Sequence, residues 1–387
     1  MVPGHDPAPP RPRRPLLQHA EYRETRTFAN LDGIRALSVL AVVLYHFDPL
    51  PWAWLRTIQH AGFFGVDVFF VLSGYLITTL LLREPDRPIG TALFAFYARR
   101  TLRIFPLFYA ACALYAAAAW WAGGTAWAAY RDYLPALLLY WSDVHLALHP
   151  EPFPPFGHAW SLAVEEKFYL VWPFAALAWR RAHGLSIAMG TIVAVTLWRF
   201  VVALGEPASH ALQARLWYAF DLRLDSLMWG CVLAYALHRE RSYERLTAWL
   251  RRKWVGALAL AAALWLAIDV VLHDNTGLRL CVRYTLAPPL LALVVGTAVT
   301  APHSPRLRWL QWRPLAWVGV ISYGVYVLHP LAGHVMKRVV GGVFAEPAAP
   351  PGLAVQFVGY VALSLAISGL SFRWFEAPIL RQKRRFR

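Results

Sequence analysis

The chain alternates long apolar stretches with short polar ones that are rich in arginine. A helix needs about 20 mostly apolar residues to cross the hydrocarbon core of a bilayer. Ten stretches approach that length: 31–48, 62–82, 104–121, 159–179, 185–203, 216–237, 254–272, 284–300, 315–336 and 353–372. They predict an all-α integral membrane protein, a bundle of about ten transmembrane helices. The segment 122–158 breaks the pattern. Its apolar part, within YRDYLPALLLYWSDVH, is short and flanked by prolines, and predicts a re-entrant or interfacial piece. The first 30 residues are rich in Pro and Arg and hold no apolar core of signal-peptide length. They predict a disordered basic tail, so that the first span acts as the targeting signal. No repeat of fixed period and no second soluble domain is visible. The expected organisation is a tail over 1–30, a membrane domain over 31–376 and a basic tail over 377–387.

Composition strengthens the membrane reading. Of 387 residues, 58% are hydrophobic and 16% charged. Soluble domains carry about 25% charged residues, so this chain lacks the polar surface a soluble enzyme of its length would need. With the amino terminus placed in the cytosol, 27 of the 38 Lys and Arg residues fall in cytosolic segments and six in outer loops. That bias predicts both termini in the cytosol. It also accounts for the net charge of +16 without nucleic acid, because the basic residues are spread over every inner loop and form no stripe. Cys112, Cys231 and Cys281 lie far apart in apolar runs and predict neither a metal knuckle nor a redox pair.

Charged groups inside spans are costly and mark candidate sites. In the first span, Arg35 and His46 are 11 residues apart. They share one helix face about 16 Å apart along the axis. In the second, Asp67 sits among apolar neighbours and suits an ion pair as well as catalysis. Arg100 and Arg103, at i,i+3, face the same way at the entry to the third span. Planar guanidinium forks there suit the phosphates of a nucleotide-like cofactor, and equally suit simple anchoring at the membrane surface. The fourth span carries Glu165, Glu166 and Lys167 in succession, a costly set unless it lines a polar cavity. Adjacent residues point about 100° apart on a helix, so only one of the two carboxylates can face a given partner. Arg223 and Asp225 lie in the sixth span, and Tyr323, Tyr326 and His329 in the ninth. His145, His149 and Glu151 lack a further ligand at a sensible interval, so no metal is expected.

Together these segments resemble the acyltransferase-3 family of integral membrane acyltransferases. The resemblance rests on LDGIRALSVLAVVLYHF, FFGVDVFFVLSGYLIT, ARRTLRIFP, HAWSLAVEEKFYLVWP, RLDSLMWG, ISYGVYVLHP and FRWFEAPIL, which run in the family's order from 31 to 380. It implies that Arg35 and His46 are essential, that Arg100 and Arg103 handle the acyl donor, and that Glu165 is the carboxylate the family pattern holds. Arg223 and Asp225 match its RxDxLxxG element. Some members carry an added outer hydrolase-like domain, whereas this chain ends in RQKRRFR.

The resemblance further implies a multi-pass protein of the bacterial inner membrane with acyl-CoA as co-substrate and no bound cofactor. The acceptor would be a hydroxyl of a surface polysaccharide, lipopolysaccharide or glycolipid, or alternatively of a small molecule such as a macrolide. His46 would take the hydroxyl proton, with Glu165 or Asp67 orienting it and Arg35 holding the oxyanion or the donor arm. Arg223, Asp225, Tyr323 and His329 are candidates for binding substrate. A permease or flippase would also use charges within spans, but usually shows an internal repeat.

Overall fold

A computed structural model describes residues 16–25, 27–48, 50, 52–84, 88–178, 183–250, 252, 277–343 and 350–386. No β-strand occurs among them. The helices that build the site are α1 (His19–Glu24), α2 (Ala29–Tyr45), α3 (Ala53–Ala61), α4 (Phe64–Leu82) and the 34-residue α5 (Ile89–Ala122). They are followed by α6 (Gly124–Leu138), α7 (Ser142–Leu148), α8 (Trp160–Ala178), α9 (Gly184–Gly205), α10 (His210–Tyr218) and α11 (Phe220–His238). The carboxy-terminal part holds α12 (Glu240–Leu250), α13 (Gly277–Thr300), α14 (Arg313–Val320), α15 (Ser322–Val343), α16 (Pro350–Ser371) and α17 (Ala377–Arg381).

Among the described residues, five helices are long and apolar enough to cross a membrane, or six when the bent pair α14 and α15 counts as one span. This makes the chain a multi-pass membrane protein. Helices α2, α8 and α11 overlie three more of the predicted stretches. Helix α2 has only 17 residues, while α8 and α11 each carry three or more charged residues, which interrupt the apolar surface. The predicted span 254–272 lies outside the described residues. The stretch 315–336 is not one straight helix: α14 and α15 meet at an 80° bend around Ile321. Non-helical backbone at membrane depth is tolerated where it lines a cavity, and the bend delivers Ser322 and Tyr323 into one. Segment 122–158 forms two short helices, α6 and α7, in keeping with its apolar part being too short to cross.

The described parts of the two tails pack against the bundle, while residues 1–15 of the expected disordered tail lie outside the described residues. Tyr22 of α1 is buried, its hydroxyl 3.0 Å from that of Tyr75, and the Leu17 amide bonds the Thr300 carbonyl at 3.0 Å. At the other end, Arg99 donates to the Phe386 carbonyl at 2.5 Å, tying the basic carboxy-terminal segment to α5. Arg83 and Tyr243 also bond carbonyls of the amino-terminal segment, and such scattered contacts leave no periodic pattern for sequence reasoning to find.

Helices α4 and α11 cross closely. Without a hydrophobic drive between helices in lipid, small residues that let backbones approach supply the packing. A Cβ on Gly74 would lie 1.9 Å from the Leu227 carbonyl oxygen, and one on Gly230 would lie 2.1 Å from that of Val71. Backbone cannot retreat as a side chain can. Gly74→Ala and Gly230→Ala are each expected to destabilise the detergent-solubilised protein by about 1–3 kcal/mol, the usual cost of overpacking. Thermal unfolding monitored by tryptophan fluorescence would read this, and a midpoint equal to the parent's would refute the tight crossing.

Candidate functional site

Each charged side chain inside the bundle has been brought to a specific place. A cavity of about 130 Å³ is lined by Arg35 from α2, Ser73 from α4, Arg100 and Arg103 from α5, Glu165 from α8, and Ser322, Tyr323 and Tyr326 from α15. The sequence separations among these residues give no hint of this meeting, but the helix faces do. Arg100 and Arg103 line the same wall, as their i,i+3 spacing predicts. The guanidinium of Arg100 lies 3.7 Å from the Tyr169 ring centroid, and its Nε is buried without a partner. Arg35 is held by Asp32, one turn away, at 3.1 Å.

The two adjacent glutamates part company. Glu165 faces the cavity and accepts from Ser73 Oγ and Tyr169 Oη, each at 2.8 Å. Glu166 instead lines a lateral, mostly apolar pocket of about 690 Å³ together with Lys167. Lys167 pairs with the buried Asp143 of α7. One position of offset on a helix thus separates a central carboxylate from a peripheral one. Tyr323 lines the central cavity and donates to the Ile104 carbonyl at 2.9 Å.

His46 stands at the other end of α2, as the residue that closes the helix. Its Nδ1 lies 2.9 Å from the Val42 carbonyl. A carbonyl oxygen can only accept, so Nδ1 carries the proton and the Nε2 lone pair is free. His158 and His329 pack against it, with ring centroids 5.9 and 4.9 Å from His46 and 5.0 Å from each other. His46 is exposed to cavity space, whereas His158 and His329 are buried behind it. His329 Nδ1 is fixed in the same way by the Tyr326 carbonyl at 2.8 Å, and the Nε2 atoms of both His158 and His329 have no partner. Three imidazoles with free nitrogens therefore converge.

Two further cavities reach His46 from this end. One, of about 250 Å³, includes Asp48, Lys337 and Gln356, with Asp48 bonded to Lys337 at 2.8 Å and to Gln356 at 2.9 Å. The other, of about 280 Å³, is walled by aromatic rings and also includes His158, Arg223 and Tyr326. Val66 and Tyr326 line both this cavity and the one holding Arg100, so those two side chains form the wall between them. Tyr326 Oη is fixed by Ser161 Oγ at 2.5 Å and by the His158 carbonyl at 2.9 Å.

Two of the expected contacts are corrected. Among the described residues, neither Glu165 nor Asp67 bonds to His46; the Val42 carbonyl orients that ring instead. Asp67 accepts from Arg223 at 2.6 Å and from Ser226 at 3.3 Å. Asp225 pairs with Arg199 at 2.5 Å, and Arg199 also donates to the Leu222 carbonyl. Arg223 and Asp225, both expected to bind substrate, each take part in a separate buried ion pair, and Arg223 also lines the cavity beside His46. His158 and Trp217, which line the aromatic cavity with His46, were not among the residues expected at a site. The available signal was a histidine just before a span with three charged residues, but a lone interfacial histidine is usually structural. His145 and His149 have rings 5.4 Å apart in and beside α7, and burial together with His149 lowers the His145 pKa. No group of three or more ligating side chains placed to hold a metal ion occurs among the described residues.

Comparison with known proteins gives this arrangement a context. A family model described as "Acyltransferase domain" matches residues 28–373. The chain is 28% identical over 371 residues to peptidoglycan O-acetyltransferase OatA of Listeria monocytogenes, covering 90% of this chain and 55% of that protein. It is 29% identical over 373 residues to the putative peptidoglycan O-acetyltransferase YrhL of Bacillus subtilis, with 92% and 55% covered. Against O-acetyltransferase OatA of Staphylococcus aureus the identity is 26% over 372 residues, covering 92% and 58%. The chain thus spans little more than half the length of these curated relatives. No solved structure matches it.

Proposed function

The chain belongs to this acyltransferase family, and from that premise we propose that it is a membrane O-acyltransferase carrying an acyl group, acetyl in the first instance, from acyl-CoA to a sugar hydroxyl of a cell-surface glycan. The relatives named for peptidoglycan O-acetylation support the acceptor class. The observation that carries the reading is the placement of His46. This histidine lines two cavities, and Val66 and Tyr326 line both one of these and a third cavity rich in arginine.

The basic cavity suits the donor. Guanidinium groups bind phosphates through planar, charge-assisted hydrogen bonds, and Arg100 has a buried N–H without a partner. The excess of Lys and Arg in alternate loops supports a cytosolic position for this end, where acyl-CoA would enter. The thioester arm then runs past Glu165, Ser161 and Tyr326 toward His46. The acceptor oxygen attacks the thioester carbonyl, forming a C–O bond and breaking the C–S bond. His46 Nε2 takes the hydroxyl proton and returns it to the leaving thiolate, so free CoA departs as a thiol. The same nitrogen can instead accept the acyl group first and pass it on, which splits the transfer into two steps. Arg35, lining the donor cavity with Arg100 and Arg103, supports the donor arm.

A kinetic split tests the donor site. Arg100→Gln combined with Arg103→Gln is expected to raise the KM for acetyl-CoA at least tenfold while lowering kcat much less, read from CoA release by reconstituted membranes. An unchanged donor KM would remove the two arginines from that role. A permease would move substrate without consuming acetyl-CoA, so the absence of CoA release in the parent protein would overturn the whole reading.

A further inference from the structure

The aromatic cavity beside His46 has features that the transfer chemistry alone does not require. Its wall carries Tyr45, Phe63, Trp160, Trp217 and Tyr218, with Glu151 lining it as well. The rings pack in two clusters. Trp217 stacks on Tyr45 at 6.5 Å and tilts against Phe63 at 5.1 Å, and Tyr218 meets Trp160 edge-on at 5.3 Å. Trp217 and Tyr218 are only half-buried, so part of their ring area remains open to a ligand. Flat ring faces of this kind cover the apolar C–H face of a pyranose.

The polar groups of the cavity complete the fit. Arg223 and His158 are 2% and 3% exposed, and both line the cavity. Arg223 spends one nitrogen on Asp67, but its Nε–H has no partner, and neither does His158 Nε2. Both side chains line the cavity, so a ligand bearing hydroxyl groups would find polar partners in its wall. A sugar hydroxyl can accept from the first and donate to the second. A purely apolar ligand would leave both unmet at about 1–3 kcal/mol each. A phosphate would suffer from the carboxylate of Glu151.

We propose that this cavity is the acceptor site, that it binds an uncharged pyranoside with its ring against Trp217, and that Arg223 Nε and His158 Nε2 hold its hydroxyls so that one of them meets His46. This rests on the acyltransferase reading above and names the acceptor's place within it. His158 and Trp217 are positioning residues, since neither is required to exchange a proton with the reacting atoms.

The test uses the full chain in lipid nanodiscs, with chitotriose as acceptor probe and acetyl-CoA as donor. Saturation-transfer NMR reports sugar binding independently of turnover, and mass spectrometry reports acetylated sugar. Trp217→Leu is expected to weaken chitotriose binding and raise its KM at least tenfold, with the KM for acetyl-CoA unchanged. Trp217→Phe, which keeps a ring face, is expected to stay within threefold of the parent. His158→Gln is expected to raise the sugar KM without altering donor KM. If the parent shows no sugar signal above empty nanodiscs, or if Trp217→Leu binds chitotriose as tightly as the parent, the acceptor site is overturned. A parent that binds chitotriose through Trp217 but consumes no acetyl-CoA would leave the site standing and overturn the transfer reaction instead.

Discussion

Membranes containing His46→Ala are expected to form acylated product about 10²–10⁴-fold more slowly than the parent, the range a positioned acid–base group contributes. The expectation follows from one lone pair. The Val42 carbonyl occupies Nδ1, so Nε2 is the atom facing cavity space, and alanine removes it without disturbing any other described bond. The fold should persist, because His46 caps α2 with its backbone amide, which bonds the Val42 and Leu44 carbonyls whatever the side chain. Binding of acetyl-CoA at the distant arginines should likewise persist, so the loss belongs in kcat. Product formation within threefold of the parent, at equal protein in the membrane, would displace His46 from the reaction. His46→Gln is a useful companion: it retains polarity and approximate size but supplies no basic nitrogen, and should be nearly as slow.

The second large effect is on stability and concerns Asp67. Its carboxylate and the guanidinium of Arg223 are both essentially inaccessible and lie 2.6 Å apart. Arg223 also sits 3.8 Å from the Tyr284 ring centroid. Removing one member of a buried pair leaves an uncompensated charge and typically costs about 3–5 kcal/mol, whereas replacing both by apolar residues of similar volume is often close to neutral. Asp67→Ala is therefore expected to lower stability in detergent by about that amount, or to prevent accumulation in the membrane. The double change Asp67→Leu with Arg223→Met should recover most of the loss. If the single and double variants unfold at the same midpoint, the pair does not hold α4 to α11. The proposed acceptor site adds a discriminating outcome: the recovered double variant should fold yet bind chitotriose poorly, because Arg223 Nε is gone.

How much was legible in the sequence differs with the physics of each feature. The long apolar stretches could be read because lipid demands them residue by residue, and helices occupy those that the structure describes. The 80° bend at Ile321 could not, since ISYG contains no proline and the break is set by what surrounds it. Arg35, Arg100, Arg103 and Glu165 stood out as charges in costly places, and all four share a cavity. The partner of Asp67 was unreadable: Arg223 lies 156 positions away, and a carboxylate in a span advertises that it needs a partner without saying which. His158 and Trp217 escaped notice for the opposite reason, because histidines and aromatics near the ends of spans are ordinary. The docked terminal segments are held by hydrogen bonds and ring contacts to distant helices, which leave no periodic trace.

The wall of Val66 and Tyr326 has an electrical consequence. Cavities approaching from opposite ends of the bundle concentrate the voltage of an energised membrane over whatever thin partition lies between them. A potential of about 100 mV is worth about 2.3 kcal/mol for each elementary charge moved through it. A proton or a phosphate group would do that work, or have it done on it, while an acetyl group carries no charge and does none. A partition at Val66 and Tyr326, with the hydroxyl of Tyr326 tied at both Ser161 and His158, need open only far enough for the thioester arm to hand over a neutral fragment. The ion gradient and the coenzyme would stay where the cell keeps them.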